Sequence, residues 1–199
     1  MAIRIICADR PYILDAELFN ATQQNLNAIA NLAHCDEESD EYNAISQNLS
    51  SVELDALCDH DFEIATTLLP IQTVGVQGDG RTYSYVAALS TSERPIPWVT
   101  LERLARIIPR LLHNINRVVY VFGDAVEFPI SDVTRTYLNE MIVERLQWAD
   151  RIASQVLNGL DEDSMKDPSL ENCVHRIQQV NFFIFSSRSH KMVLTKCCD

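Results

Sequence analysis

LLPIQTVGVQGDGRTYSYVAALS, from Leu68 to Ser90, contains two stretches of alternating residues joined by a glycine-rich turn. Val74 and Val76 alternate with small or polar residues before the turn, and a similar alternation runs from Tyr83 onward after it. A period of two is typical of a strand that buries one face. The stretch therefore predicts a β-hairpin in which each arm buries one face.

The turn of the predicted hairpin reads Gly-Asp-Gly-Arg. Gly78 and Gly80 allow backbone angles that other residues resist, so Asp79 and Arg81 can project from a tight loop on a stiff support. Such a pair of side chains suits a polar ligand. The alternative is an ordinary surface turn in which Asp79 hydrogen-bonds its own backbone.

The composition narrows the class of protein. With 199 residues, 47% of them hydrophobic, the chain can bury one sizeable core. A net charge of -12 argues against nucleic acid or an anionic membrane as a partner. No segment has the pattern of a signal peptide or the length of a membrane span, so we expect a cytosolic protein.

Six cysteines show neither a C-x-x-C pair nor the spacing of a secreted disulfide framework, which predicts reduced thiols. His34 and Cys35, together with Cys58 and His60, supply four ligands of the kind that zinc prefers. Adjacent ligands such as His34 and Cys35 are poor chelators for a tetrahedral site. We therefore expect no bound metal.

The segment before the hairpin is predicted to be mainly helical. After a short strand at Ala2–Cys7, apolar residues recur at spacings of three and four from Glu17 to Ala33, which is typical of an amphipathic helix. The acidic run DEESDE at 36–41 predicts an exposed loop. A second, weaker helix is predicted from the spacing of Ile45, Leu49, Val52 and Ala56.

Helix and strand are predicted after the hairpin. A loop at 93–97 precedes an apolar stripe from Trp98 to Leu112. Pro109 removes one backbone hydrogen bond from this helix and is expected to kink it near Ala105 or to end a first segment there. A turn at 114–116 then leads into a strand at 117–122.

A long helix follows, with Asp132 as its expected N-terminal cap, helical spacing from Leu138 to Val156, and Gly159 at its C-terminus. A polar loop at 161–172 and a strand at 176–185 complete the prediction. Hairpin, helix, strand and long helix, after a helical N-terminal segment, give an α+β fold.

Four stretches resemble, in order, the C-terminal part of the eukaryotic GMP synthases: AIRIICADRPYI, LLPIQTVGVQGDGRTYSY, LARIIPRLLHNINRVVYVFG and DVTRTYLNEMIVERLQWAD. The resemblance runs from Ala2 to about Ala153 and is weakest between Asp15 and Glu63. It implies that residues 1–66 comprise the end of the ATP-pyrophosphatase region and a helical segment. Residues 67–199 would then form the dimerisation domain, truncated or divergent after about residue 185.

The resemblance also implies a function. GMP synthases convert xanthosine monophosphate (XMP), ATP and glutamine to GMP, and their C-terminal domain pairs two subunits and completes the XMP pocket. The XMP-contacting aspartate of the family lies in a Q-G-D-x-R motif, which here implies a binding role for Asp79, with Arg81 beside it. Gln179 corresponds to the glutamine of an I-x-Q-M-P-V motif, although a buried strand glutamine is an equal alternative.

The resemblance does not extend to catalysis. The S-G-G-x-D-S signature that holds ATP and a glutaminase-type cysteine elbow are not found in the 199 residues, and the terminal K-P-P-G-T-x-E-W-E motif is replaced by FSSRSHKMVLTKCCD. We therefore expect a truncated or alternatively ended part of the enzyme, inactive alone and binding no cofactor, whereas the parent enzyme would use ATP and magnesium.

The expected partners are XMP, the rest of a GMP synthase chain, and a second copy in a homodimer formed through the strand at Val118–Val121. One alternative is a non-catalytic dimerising protein derived from GMP synthase that has lost the ligand. Another is an independent enzyme using Asp79 and a histidine, but no arrangement of histidine and carboxylate favours it.

Overall fold

The computed structural model describes residues 8–77, 80–135, 137–157, 180–186 and 190–196. The chain forms two compact units, one of residues 10–133 and one of residues 1–9 and 134–199. The first unit contains α1 (Ala16–Ala30), α2 (Asp40–Ser46), α3 (Ser51–Cys58), β1 (Ala65–Gln77), β2 (Gly80–Ser90), α4 (Trp98–Leu111) and β3 (Ile115–Val121). The second contains α5 (Glu140–Leu157) and the antiparallel strands β4 (Val180–Ser186) and β5 (His190–Lys196). The α+β prediction is confirmed.

The sheet of the first unit has the order β1-β2-β3. β1 and β2 pair in antiparallel fashion from Ala65↔Ser90 to Gln77↔Gly80, so the predicted hairpin is confirmed. β3 runs parallel to β2, and a parallel pair requires a crossover connection, which α4 provides. β2 is therefore the central strand of this unit.

β2 is buried on both faces, so the prediction that each arm buries only one face is wrong for this strand. Tyr85, Ala87 and Leu89 are at most 7% exposed and belong to the main core. Val86 and Ala88, whose side chains point to the opposite face, are at most 3% exposed. Alternation in the sequence indicated a strand but not how many of its faces are covered.

The helices α1 and α4 contribute the apolar stripes that were predicted for them. Leu26 and Ile29 of α1, with Leu104 and Ile108 of α4, are at most 2% exposed and pack in the same core as β2. Full burial of a side chain of this size contributes about 1.5–3 kcal/mol. This apolar contact fixes the two helices against the sheet.

Gln23 of α1 bonds the outer edge of β1, and Asn31, which follows α1, bonds the residue just before β1. Gln23 donates a hydrogen bond to the Thr66 carbonyl at 3.1 Å and accepts one from the Leu68 N–H. Asn31, which is 8% exposed, accepts from the Ile64 N–H at 2.8 Å and donates to the carbonyl of the same residue at 2.9 Å. Because unpaired edge groups are costly when buried and can pair with a foreign strand, these amides protect the edge.

The single helix predicted around residues 45–56 is in fact two helices, α2 and α3. A capping box starts α3: the Ser50 hydroxyl accepts from the Glu53 N–H, and the Glu53 carboxylate accepts from the Ser50 N–H. Val52, placed on the apolar stripe by the prediction, is 75% exposed. The carboxylates of the run 36–41 are exposed as predicted, but Ser39 caps α2 and makes the last two of them helical.

Two other helix boundaries differ from the prediction. The helix α4 does not end at Ala105. Pro109 lies in its last turn, where few hydrogen bonds remain to be lost. Asn139 caps α5 in place of Asp132, since its side-chain oxygen accepts from the Ile142 N–H at 3.0 Å.

Some predictions fall outside the described residues: the strand at Ala2–Cys7, the loop at 161–172 and the helix end at Gly159. The strand predicted at 176–185 corresponds in its second half to β4, and β5 was not predicted. The boundary between residues 66 and 67 stays a prediction. None of the helices in the described part of the chain is long and apolar enough to cross a membrane.

Replacing Asn31 with alanine is expected to lower the free energy of unfolding by about 2–4 kcal/mol, because the N–H and the carbonyl of buried Ile64 lose their partner. Urea denaturation followed by circular dichroism measures the change. Asn43→Ala is the matched control, since its amide donates to the Ser39 carbonyl on the surface and its loss should cost about 0.5 kcal/mol or less. Equal losses in the two variants would contradict the role of Asn31.

Glu53 is expected to make the stability fall in acid. Its hydrogen bonds with Arg110 of α4 and with Ser50 lower the pKa of the carboxyl from 4.5 to about 2. Because the folded-state pKa lies below the unfolded one, the stabilisation is complete above about pH 4.5 and is lost as the pH falls toward 2.

Urea midpoints measured from pH 6 down to about pH 2 test this dependence. Glu53→Gln should reduce the loss of stability over that range, whereas Glu38→Gln, which removes an exposed carboxylate, should leave the wild-type slope. A wild-type slope in Glu53→Gln would refute the assignment.

Candidate functional site

The end of the β1–β2 hairpin holds the residues that the sequence motif singled out. Gln77 ends β1 and pairs with Gly80 at the start of β2, and Arg81 pairs through its backbone with Val76. The side chain of Arg81, the whole of Asp79 and Gln179 lie outside what the structure describes. The hairpin is thus confirmed, while the binding roles of these three residues stay predictions.

Gly75 marks a close approach just before the hairpin end. A Cβ atom added there would lie 2.8 Å from the Thr82 hydroxyl oxygen and 3.1 Å from Nδ2 of Asn116. Any larger residue would therefore displace a neighbour. The Asn116 side chain, from the third strand of the sheet, thus lies close to the backbone of β1 at Gly75.

Asn116 and Arg117 of β3 contact β1 at this point, and neither was predicted to do so. The Asn116 amide donates to the Thr73 carbonyl at 2.7 Å, and the Arg117 guanidinium donates to the Val74 carbonyl at 3.3 Å. Asn116 was predicted to lie in a turn. No sequence pattern indicates its contact with β1, because that contact exists only once β3 has paired with β2.

A polar cleft of about 690 Å³ lies elsewhere in the first unit, beside α1. Its carboxylates, from Glu41, Asp61 and Glu63, would favour a cationic ligand over a phosphate. The lining residues are Gln24, Asn27, Ala28, Asn31, His34, Cys35, Glu41, Asp61 and Glu63.

Of the four residues considered as zinc ligands, the two histidines lie near each other. The rings of His34 and His60 are 6.2 Å apart, and both lie beside the Phe62 carbonyl. Burial raises the pKa of the Cys35 and Cys58 thiols and lowers that of His60. Protonated thiols are poor nucleophiles and poor ligands, and no set of three metal-binding side chains occurs in the described part of the chain.

In the second unit, α5 carries an exposed apolar face. Met141, Trp148 and Ile152 are 54%, 63% and 40% exposed and lie on one side of the helix, since they are seven and four residues apart. Leu146 and Ala149, on another side, are buried. Large exposed apolar patches mark interaction sites.

The strand expected to form the dimer contact does not expose its apolar side chains. Val118, Val119, Tyr120 and Val121 are all at most 9% exposed within the single chain. Their side chains already contribute to its own interior. Burial within the single chain does not test whether two copies associate, so the homodimer through this strand stays a prediction.

No family model matches the chain, but it is similar to known proteins. It is 41% identical to a probable glutamine-hydrolysing GMP synthase of Caenorhabditis elegans in an alignment of 196 residues that covers 90% of the chain. It is 40% identical to the GMP synthase of Dictyostelium discoideum in an alignment of 170 residues that covers 79% of the chain. A shorter match, 43% over 63 residues, is to the GMP synthase of the bacterium Mesoplasma florum. The chain spans 26% and 23% of the first two relatives, about a quarter of their length.

Proposed function

We propose that this chain, a homologue of one part of glutamine-hydrolysing GMP synthase, supplies the dimerisation and XMP-binding region of such an enzyme. The observation that carries the proposal is the similarity over most of the chain, which includes the hairpin and its Gln77–Arg81 motif. The complete enzyme would convert XMP, ATP and glutamine to GMP in purine nucleotide synthesis in the cytosol. ATP and magnesium would bind to its other domains.

The proposed XMP contacts follow from the chemistry of the hairpin end. Asp79 can accept hydrogen bonds from ribose hydroxyls or purine N–H groups, and Arg81 can pair with the phosphate, which carries about two negative charges. Gln179 would provide a third contact. A net charge of -12 opposes an anionic ligand, so binding by this chain alone should be weak.

The proposed dimer would use the apolar face of α5. Met141, Trp148 and Ile152 offer the large apolar and aromatic side chains that are enriched at the centres of interfaces. A contact between two copies of the same face is self-complementary, as most homodimers are. Pairing would remove this patch from water.

A second candidate is a non-catalytic dimerising protein that has lost the ligand. The exposed face of α5 favours it as much as it favours the enzyme part. XMP binding separates the two, because only the enzyme part requires it.

Titration of the 199-residue chain with XMP, followed by NMR, is expected to show binding with a Kd on the order of millimolar or weaker. Asp79→Asn replaces an acceptor with a donor at the same size, which should cost about 1–3 kcal/mol and abolish the response at accessible concentrations. Asp36→Asn, a change of the same kind at an exposed position, should leave the response intact. Equal responses in wild type and Asp79→Asn would leave dimerisation as the function of this chain.

Light scattering of the chain at about 50 µM is expected to show a dimer, since ordinary subunit interfaces hold in that range. Trp148→Glu should give a monomer, because two carboxylates would be buried in the proposed contact. Gln147→Glu places the same charge on a different side of α5 and should remain dimeric. A monomeric wild type, or a dimer that survives Trp148→Glu, would contradict this interface.

A further inference from the structure

Two histidine side chains share one backbone acceptor in the segment that leads into β1. His34, at the end of the short 3-10 turn Leu32–His34, has its Nε2 atom 3.3 Å from the Phe62 carbonyl oxygen. His60 has its Nδ1 atom 2.9 Å from the same oxygen. The two ring centroids are 6.2 Å apart. Two segments that are distant in sequence are thus joined by two imidazole rings at one carbonyl.

The shared carbonyl fixes the tautomer of His60. Because a carbonyl oxygen only accepts, Nδ1 of His60 must carry a proton, and in the neutral ring Nε2 then carries none. Nε2 is buried and has no hydrogen-bond partner in the part of the chain that the structure describes. The ring also stacks on Phe62, with 4.3 Å between the ring centroids. This environment suits the neutral ring and disfavours a second proton.

Charged groups from two segments act on His60. Burial lowers its pKa below the ordinary value of 6.5, and a charge on His34 lowers it further, since two cations at this distance repel each other. The Phe62 carbonyl and the carboxylates of Asp61 and Asp59 act in the opposite direction, but burial is the largest effect. The closed arrangement therefore holds His60 in its neutral form.

The two histidines join different parts of the wall of the polar cleft beside α1. His34 lines the cleft from the turn after α1, whereas Asp61 and Glu63 line it from the segment before β1. Phe62, whose carbonyl accepts from both rings, lies between these two carboxylates in the sequence. Glu41 of α2 adds a further carboxylate to the lining. The position of the histidines relative to each other therefore sets the shape of this wall.

The end of the same segment is held by contacts that do not titrate. The Asn31 amide bonds the N–H and the carbonyl of Ile64 at 2.8 and 2.9 Å. Ile64 is 0% exposed. A change of pH near neutrality acts on the histidine contacts and leaves this anchor in place, so its effect is confined to residues 59–63.

We propose that His34, His60 and the Phe62 carbonyl form a pH-sensitive latch on the cleft beside α1. In the closed state neutral His60 holds residues 59–63 against the turn Leu32–His34. In acid the second proton on His60 meets a buried position and a neighbouring cation, so the two rings separate and this wall of the cleft moves away from the turn. The latch requires no ligand and is independent of the proposed XMP site.

The direction of the pH dependence follows from the burial of His60. In the open state the ring is in water and binds a proton more readily than in the closed state. Because the closed-state pKa lies below the open-state pKa, closure is complete above about pH 6.5 and is lost as the pH falls through the closed-state pKa.

NMR spectra of the 199-residue chain from about pH 8 to about pH 5 test the latch. The nuclear Overhauser effect between the His34 and His60 rings should be present at high pH and should disappear with the midpoint of the His60 ring titration. The amide resonances of residues 59–63 should shift with the same midpoint, while that of Ile64 stays in place.

Two variants separate the latch from a structural role of the histidines. His60→Asn places an amide donor near the position of Nδ1 but gains no second proton, so residues 61–63 should keep their high-pH resonances in acid. His34→Gln retains a donor and removes the neighbouring charge, so the midpoint of the His60 titration should move to higher pH. His113→Asn, the same change at an exposed position, should behave as wild type.

Thermal unfolding checks that each variant is folded at the temperature of the measurement, and His34→Gln carries the test if His60→Asn does not fold. A ring contact between His34 and His60 that persists below the His60 midpoint would overturn the proposal. An unchanged His60 midpoint in His34→Gln, or wild-type shifts of residues 61–63 in His60→Asn, would overturn it as well.

Discussion

The central strand β2 is the element on which the first unit depends, because it is paired on both edges and covered on both faces from Ser84 to Ser90. Each buried peptide group in such a strand needs a hydrogen-bond partner. β1 and β3 must therefore both be in place. The free edge of β1 is in turn hydrogen-bonded by the Gln23 side chain, and Ile64, just before β1, is bonded by Asn31.

Polar side chains of β3 hold β1 before the hairpin end. At Thr73 and Val74, β1 is contacted by Asn116 and Arg117 from a strand that is not its neighbour. These polar contacts are directional, so they restrain the position of β1 at Thr73 and Val74.

Local patterns predicted the elements whose stability is local or whose buried face is continuous: the hairpin, α1, α4 and β3. They failed where a single polar residue sets the boundary of a helix. The capping box at Ser50 divides one predicted helix into two, and Asn139 rather than Asp132 starts α5 because its oxygen reaches the first turn.

Two features of the site depend on partners distant in sequence. The burial of Val86 and Ala88 shows that the second face of β2 is covered, which alternation cannot reveal. The Asn116 contact with Thr73 occurs at a shift in the β2–β3 register. Asp79 and Arg81 were indicated by the glycine-rich turn and by the resemblance to GMP synthases, and Gln179 by the resemblance alone. The sequence did not indicate the polar cleft beside α1 at all.

Residue-resolved amide hydrogen exchange, with and without XMP, tests most directly the claim that the hairpin end forms the ligand site. We expect Val74–Val76 to be protected already in the free chain and XMP to add protection only in residues 76–81. Rapid exchange of Val74–Val76 in the free chain, or protection by XMP around the acidic cleft of Glu41 and Glu63, would contradict the account.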